Sequence, residues 1–174
     1  MLIPLIIWAV FLLNFLLWGI ELRMFGIHPR TSLGLLGIVF APFLHAGWQH
    51  IIANTIPLLI LLPLLYIFYA NIKYRVILFS ILIGGFAVWL IGKSGTVHIG
   101  ASGLVFSLMA FLIAAGIFRF SWKSFLIALG VLILYGGAML QGVLPEEGIS
   151  WEGHLFGALA GIFLAWVFRK QIRE

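Results

Sequence analysis

Long runs of uncharged apolar residues recur through this 174-residue chain, each near the length that crosses a bilayer's hydrocarbon core of roughly 30 Å. No other feature limits the fold as strongly. Backbone N–H and C=O groups in hydrocarbon are satisfied only inside helices or closed barrels, and runs of about 17 to 20 residues read as helices. The candidate helices are 2–20, 50–69, 76–92, 101–118, 125–144 and 151–168. A further apolar stretch, 33–44, is too short to span and suits a re-entrant or interfacial segment. Pro57 and Pro63 fall inside the second helix, where a kink is expected and neighbouring helices satisfy the freed carbonyls. The expected fold class is therefore an all-α membrane protein with six transmembrane helices. With 64% hydrophobic and 9% charged residues, no polar stretch is long enough for a soluble unit, so 1–174 reads as one domain.

Charge placement sets an orientation. The formal net charge of +5 arises from short basic clusters between apolar runs, which topology explains without a nucleic-acid partner. Six helices put both termini on one side. If that side is the cytoplasm, the inner segments hold Lys73, Arg75, Arg119, Lys123, Arg169, Lys170 and Arg173, and the outer ones only Arg23, Arg30 and Lys93. The positive-inside rule thus favours cytoplasmic termini. Glu21, Glu146, Glu147 and Glu152 then lie outside. The apolar N-terminus lacks a basic leader and a small-residue cleavage site, so it reads as a retained helix. The absence of cysteine removes thiol nucleophiles, disulfides and thiolate metal sites.

In this orientation the second, fourth and sixth helices all begin on the outer side. The second opens with His50 and Asn54, the fourth with Gly100, Ala101, Ser102 and Gly103, and the sixth with Gly153 and His154. Three polar groups at similar depth in a membrane bundle are costly and point to function. Each also has a plainer reading, as small-residue packing or as a hydrogen bond between helices. Glycines beside Ser102 admit a substrate backbone, and the helix N-terminus offers free N–H groups and a positive dipole end to an oxyanion. Gly153, Gly157 and Gly161 recur every four residues and leave one helix face nearly bare. Gly103, Ser107, Ala110 and Ala114 form a matching small stripe on the fourth helix. Packed together, these faces bring the His154 imidazole within plausible reach of the Ser102 hydroxyl, the pairing that activates a serine. His50 and Asn54, four apart, project from one face as donors suited to an oxyanion hole.

No acid completes a triad within the helices. Glu152 lies about 200° around the helix from His154, and Glu146 and Glu147 sit in a loop. A Ser102–His154 dyad is therefore expected, with His154 oriented by packing and Phe106, one turn after Ser102, supplying a ring beneath it. Lys93 and Ser94 offer a rival serine–lysine pair, but adjacent side chains rarely meet and this loop lies in water.

These motifs resemble the rhomboid family of intramembrane serine proteases. The resemblance rests on His-x-x-x-Asn at His50–Asn54, Gly-x-Ser-Gly at Gly100–Gly103, and Gly-His-Leu-Phe-Gly-Ala-Leu-Ala-Gly at Gly153–Gly161. The stretch Pro42-Phe-Leu-His-Ala-Gly-Trp-Gln-His50 also looks like the family's approach to its second helix. The resemblance implies a six-helix rhomboid-like bundle in which Ser102 is the nucleophile and His154 the base and acid. The Ser102 backbone N–H, His50 and Asn54 would form the oxyanion hole, and no cofactor or metal is called for. Partners would be transmembrane protein substrates in a lipid bilayer, cut through an acyl-enzyme in or near the outer end of a helix. A loop at about 143–150 and the fifth helix would gate access. The chain departs from the pattern in lacking a Trp-Arg pair in its first loop and in having Phe106 where some members have tyrosine. A compact chain of this kind suits a bacterial plasma membrane.

Two other readings compete. His45, His50, His98 and His154 all fall near the outer face, as in a metal-dependent protein or metal transporter, although no His-Glu-x-x-His occurs. A catalytically dead relative that only binds membrane helices is the other, against which stands the presence of both Ser102 and His154.

Overall fold

A computed structural model describes residues 2–17, 21–119, 121–146 and 148–173. Among these the protein is helical, with α1 (Leu2–Leu16), α2 (Ser32–Phe40), α3 (Trp48–Phe68), α4 (Lys73–Ile91), α5 (Ser102–Phe118), α6 (Trp122–Gly142), α7 (Trp151–Val167) and α8 (Arg169–Arg173). Short 3-10 turns occupy Leu22–Phe25 and Ala41–Phe43. The expected end of the first helix at 18–20, and Glu147, lie outside the described residues.

Six full-length crossings were expected, and the helices at those places divide into two kinds. α3, α4 and α6 are long and apolar enough to cross a membrane, whereas α1, α5 and α7 are apolar but only 15, 17 and 17 residues long. At 1.5 Å per residue α5 and α7 extend about 25 Å. The stretch at 33–44 forms α2 and a 3-10 turn, too short to span. α3 runs as one helix through both Pro57 and Pro63. The basic tail after α7 forms α8, which buries Ile172.

The centre of the bundle is α5, whose residues from Leu104 to Leu112 are all buried. A helix with no polar face can be satisfied only by neighbours on every side, and α5 packs on α7 most extensively, then on α6, α4 and α3. Small residues set how close α5 and α7 come. A Cβ on Gly157 would stand 2.2 Å from the Gly103 carbonyl oxygen, and one on Gly161 would stand 2.1 Å from that of Ser107. Only hydrogen fits at both places. α6 is peripheral, burying just Ser124, Ala128 and Val131, and its contact with α7 is slight.

Two loops are stitched together above α5. Ile27 and His98 exchange both backbone hydrogen bonds at 2.9 Å, and the Gly100 N–H donates to the Ala41 carbonyl at 2.8 Å. Arg30, with φ 60°, donates to the Leu90 carbonyl at 2.8 Å and satisfies an orphan acceptor at the end of α4. The segment leading into Ser102 is thus held on the first loop.

Candidate active site

Ser102 is the first residue of α5 and is partly exposed. The first amides of a helix have no intrahelical acceptor, so the N–H groups of Ser102 and Gly103 remain free to donate. Gly100 makes the turn into the helix at φ 107°, a conformation that disfavours any side chain. The His50 ring fills the space beside it, since a Cβ on Gly100 would meet His50 Nε2 at 2.4 Å. Among the described residues the Ser102 hydroxyl has no hydrogen-bond partner. It lines a cavity of about 50 Å³ shared with Gly100, Gly103, His98, Ser150 and Gly153, which extends toward Gly84 and Gly85 of α4. That volume has room for several waters, and neither His154 nor any residue of α6 lines it.

One turn along α5, Phe106 is buried and lies parallel to the His154 imidazole, with ring centroids 4.2 Å apart and planes 4° from parallel. His154 Nδ1 is 2.8 Å from the carbonyl oxygen of Gly142 at the end of α6. A carbonyl can only accept, so Nδ1 carries the proton and Nε2 is left with a free lone pair. The imidazole is therefore fixed on one face by stacking and at one edge by a hydrogen bond. Ser102 and Phe106, four residues apart, share a face of α5, so the hydroxyl and the imidazole are brought to the same side of that helix. The structure draws no hydrogen bond between them; in unliganded enzymes such bonds are often long and tighten on substrate binding.

Both expected donors of the second constellation occupy the first turns of α3. The Ala46 N–H points to His50 Nδ1 at 3.4 Å, an arrangement that leaves the proton on Nε2, the atom resting against Gly100. Asn54 is buried at 3% exposure and donates one amide N–H to the His50 carbonyl at 2.8 Å, keeping a second N–H. His45 precedes α3 and has no role in the dyad and oxyanion hole expected from sequence. Its ring packs edge-on to His50 at 5.0 Å, and its Nε2 accepts the Ala101 N–H at 3.4 Å. Burial, and then the neighbouring His50, hold its imidazole down at about 4, against a weaker pull upward from the Phe43 backbone.

The serine–imidazole hydrogen bond that the structure does draw is a different one. His98 Nδ1 lies 2.7 Å from the Ser150 hydroxyl, and His98 Nε2 lies 2.9 Å from that of Thr96. This pair ties the segment before α5 to the start of α7. Burial pushes the His98 imidazole below its ordinary range, with Glu152 opposing and His28 adding to the shift. Ser94 is taken by the Arg30 guanidinium, so it does not pair with Lys93. Gly142 and Ser150 escape a reading of the sequence because a backbone acceptor and a lone loop serine carry no motif. Among the described residues, no three His, Asp or Glu side chains gather in a group able to hold a metal ion.

The Rhomboid domain family matches residues 33–171. An uncharacterized protein of Mycobacterium tuberculosis is 45% identical over 167 residues, which cover 90% of this chain and 68% of the relative. One of Mycobacterium leprae is 46% identical over 159 residues, covering 86% of this chain and 62% of that protein. Rhomboid-like protein 11, chloroplastic, of Arabidopsis thaliana is 29% identical over 159 residues, covering 76% and 52%. The chain thus spans roughly two thirds of the length of its mycobacterial relatives.

Proposed function

Because the chain belongs to the rhomboid family, an integral membrane family, we propose that it is an intramembrane serine endopeptidase cutting in or near the outer end of substrate transmembrane helices. The observation that carries this reading is the placement of His154. Its ring is stacked on Phe106 one turn below Ser102, and its protonated Nδ1 is held by Gly142. The free Nε2 is the atom that would take the Ser102 proton.

The chemistry follows from those positions. Ser102 Oγ attacks the scissile carbonyl carbon as its proton passes to His154 Nε2. The negative charge that develops on the carbonyl oxygen is met by the Ser102 N–H, by His50 Nε2–H and by the second Asn54 amide N–H. His154 then returns the proton to the leaving amine, and the acyl group stays on Ser102. A water, deprotonated by the same Nε2, releases it. A substrate helix must unwind locally first, because its carbonyls are internally bonded. In this reading six helices cross the membrane, both termini are cytoplasmic, the membrane is a bacterial plasma membrane, and the partners are transmembrane proteins.

Labelling with a fluorophosphonate in detergent tests the proposal. Labelling of the wild-type protein that is lost in both Ser102→Ala and His154→Ala, and is indifferent to a chelator, is expected. No labelling of folded wild-type protein would sink the reading and favour a non-catalytic helix binder. Chelator sensitivity would favour a metal site.

A further inference from the structure

A dyad with no carboxylate must fix its imidazole by other means. Glu152, in the first turn of α7, does not do it: it lies about 200° around the helix from His154 and interacts with His98 instead. What His154 Nδ1 meets instead is the Gly142 carbonyl oxygen, at 2.8 Å. Gly142 is the last residue of α6, and Pro145 follows closely, so the helix ends there. The last four carbonyls of a helix have no intrahelical donor, and together they form the negative end of its dipole. One of these orphan acceptors is thus aimed at an imidazole that must become positively charged during catalysis.

We propose that the Gly142 carbonyl, at the C-terminus of α6, is the positioning group for His154 and takes the place of a triad carboxylate. The inference rests on the protease reading and adds a third member to its dyad. It accounts for the residue type at position 142. A Cβ there would stand 2.4 Å from Phe106 Cζ and 3.0 Å from His154 Nδ1, so any side chain drives the stacked rings away from the carbonyl. Its φ is not among the positive values, so the requirement comes from the rings and not from the backbone. It also links the base to a peripheral element. α6 is held mainly by α5 and touches α7 little. Withdrawal of the α6 end to admit substrate would remove the acceptor, and its return would restore the oriented base.

The test combines a spectrum with a rate. In protein labelled with 15N-histidine, the His154 signal, identified by its loss in His154→Gln, reports which ring nitrogen carries the proton. The Nδ1–H form is expected in wild type, with a smaller share of it in Gly142→Ala. Fluorophosphonate labelling of Gly142→Ala at saturating probe should slow about 10²-fold, the scale of a misplaced catalytic group. The half-saturating concentration should stay within about twofold, since probe contacts are untouched. If wild type labels at Ser102 but holds the Nε2–H form, the Gly142 assignment falls while the protease reading stands. The assignment falls equally if Gly142→Ala labels slowly with an unchanged tautomer, which would make its role packing alone. If wild type fails to label, both fall. Should Gly142→Ala not fold, the wild-type spectrum still decides.

Discussion

The His154 imidazole lies flat on the Phe106 ring, 4.2 Å between centroids and 4° from parallel, so the orientation of the proposed base depends on an aromatic residue in a different helix. Stacked rings contribute roughly 0.5–1.5 kcal/mol beyond buried area. We predict that Phe106→Leu slows fluorophosphonate labelling about tenfold, while Phe106→Tyr stays close to wild type. Equal rates in all three proteins would remove the ring from the mechanism.

A second prediction separates the two serine–imidazole pairs. Ser150→Ala should keep wild-type labelling, because its partner His98 ties two loops and the proposed nucleophile is Ser102. It should instead lower the unfolding midpoint, with a loss of about 1 kcal/mol for one hydrogen bond. Labelling that vanishes in Ser150→Ala and persists in Ser102→Ala would transfer the nucleophile's role to Ser150.

The α5–α7 contact makes a third. Alanine at Gly157 or Gly161 would place a methyl 2.2 or 2.1 Å from a carbonyl oxygen of α5. Forcing the backbones apart should cost about 1–3 kcal/mol. Gly130→Ala, where nothing stands within 4 Å, should be neutral or slightly stabilising. Thermal midpoints of the three variants in one detergent check the contrast, and a uniform response would refute the close packing.

The fourth concerns acid. His45 has a folded pKa of about 4 against an ordinary 6.5. Above about pH 6.5 it is neutral folded and unfolded, so its stabilising effect is fully present. Between there and pH 4 the unfolded chain binds a proton that the folded one refuses, and stability falls. Unfolding midpoints at pH 7.5 and 4.5 should therefore converge partly in His45→Gln. An undiminished pH slope in that variant would dissociate His45 from the acid sensitivity.

How much could be read in advance differs between fold and site. The places of the helices were visible because hydrocarbon forces each crossing segment to be apolar throughout, and α3, α4 and α6 fall within a few residues of expectation. The matching small stripes that include Gly103, Ser107, Gly157 and Gly161 were visible for a related reason. Close approach in a bundle leaves its mark on residue size, position by position. The ends of α5 and α7 also fall within one residue of the expected 101–118 and 151–168. What was not visible is that α5 would be enclosed by protein on every side, because an apolar residue reads alike whether it faces lipid or protein.

The sequence by itself determined a membrane-embedded helical chain, its family motifs, and which side chains have the chemistry of nucleophile, base and donor. Those properties belong to single residues and their spacing along one helix. Only the tertiary structure decided that Gly142 supplies the acceptor for His154 and that Ser150 meets His98. Each of these joins segments far apart in the chain, or uses a backbone carbonyl that every residue possesses. A sequence cannot distinguish one carbonyl from another; the packing of α6 beside α5 and α7 does.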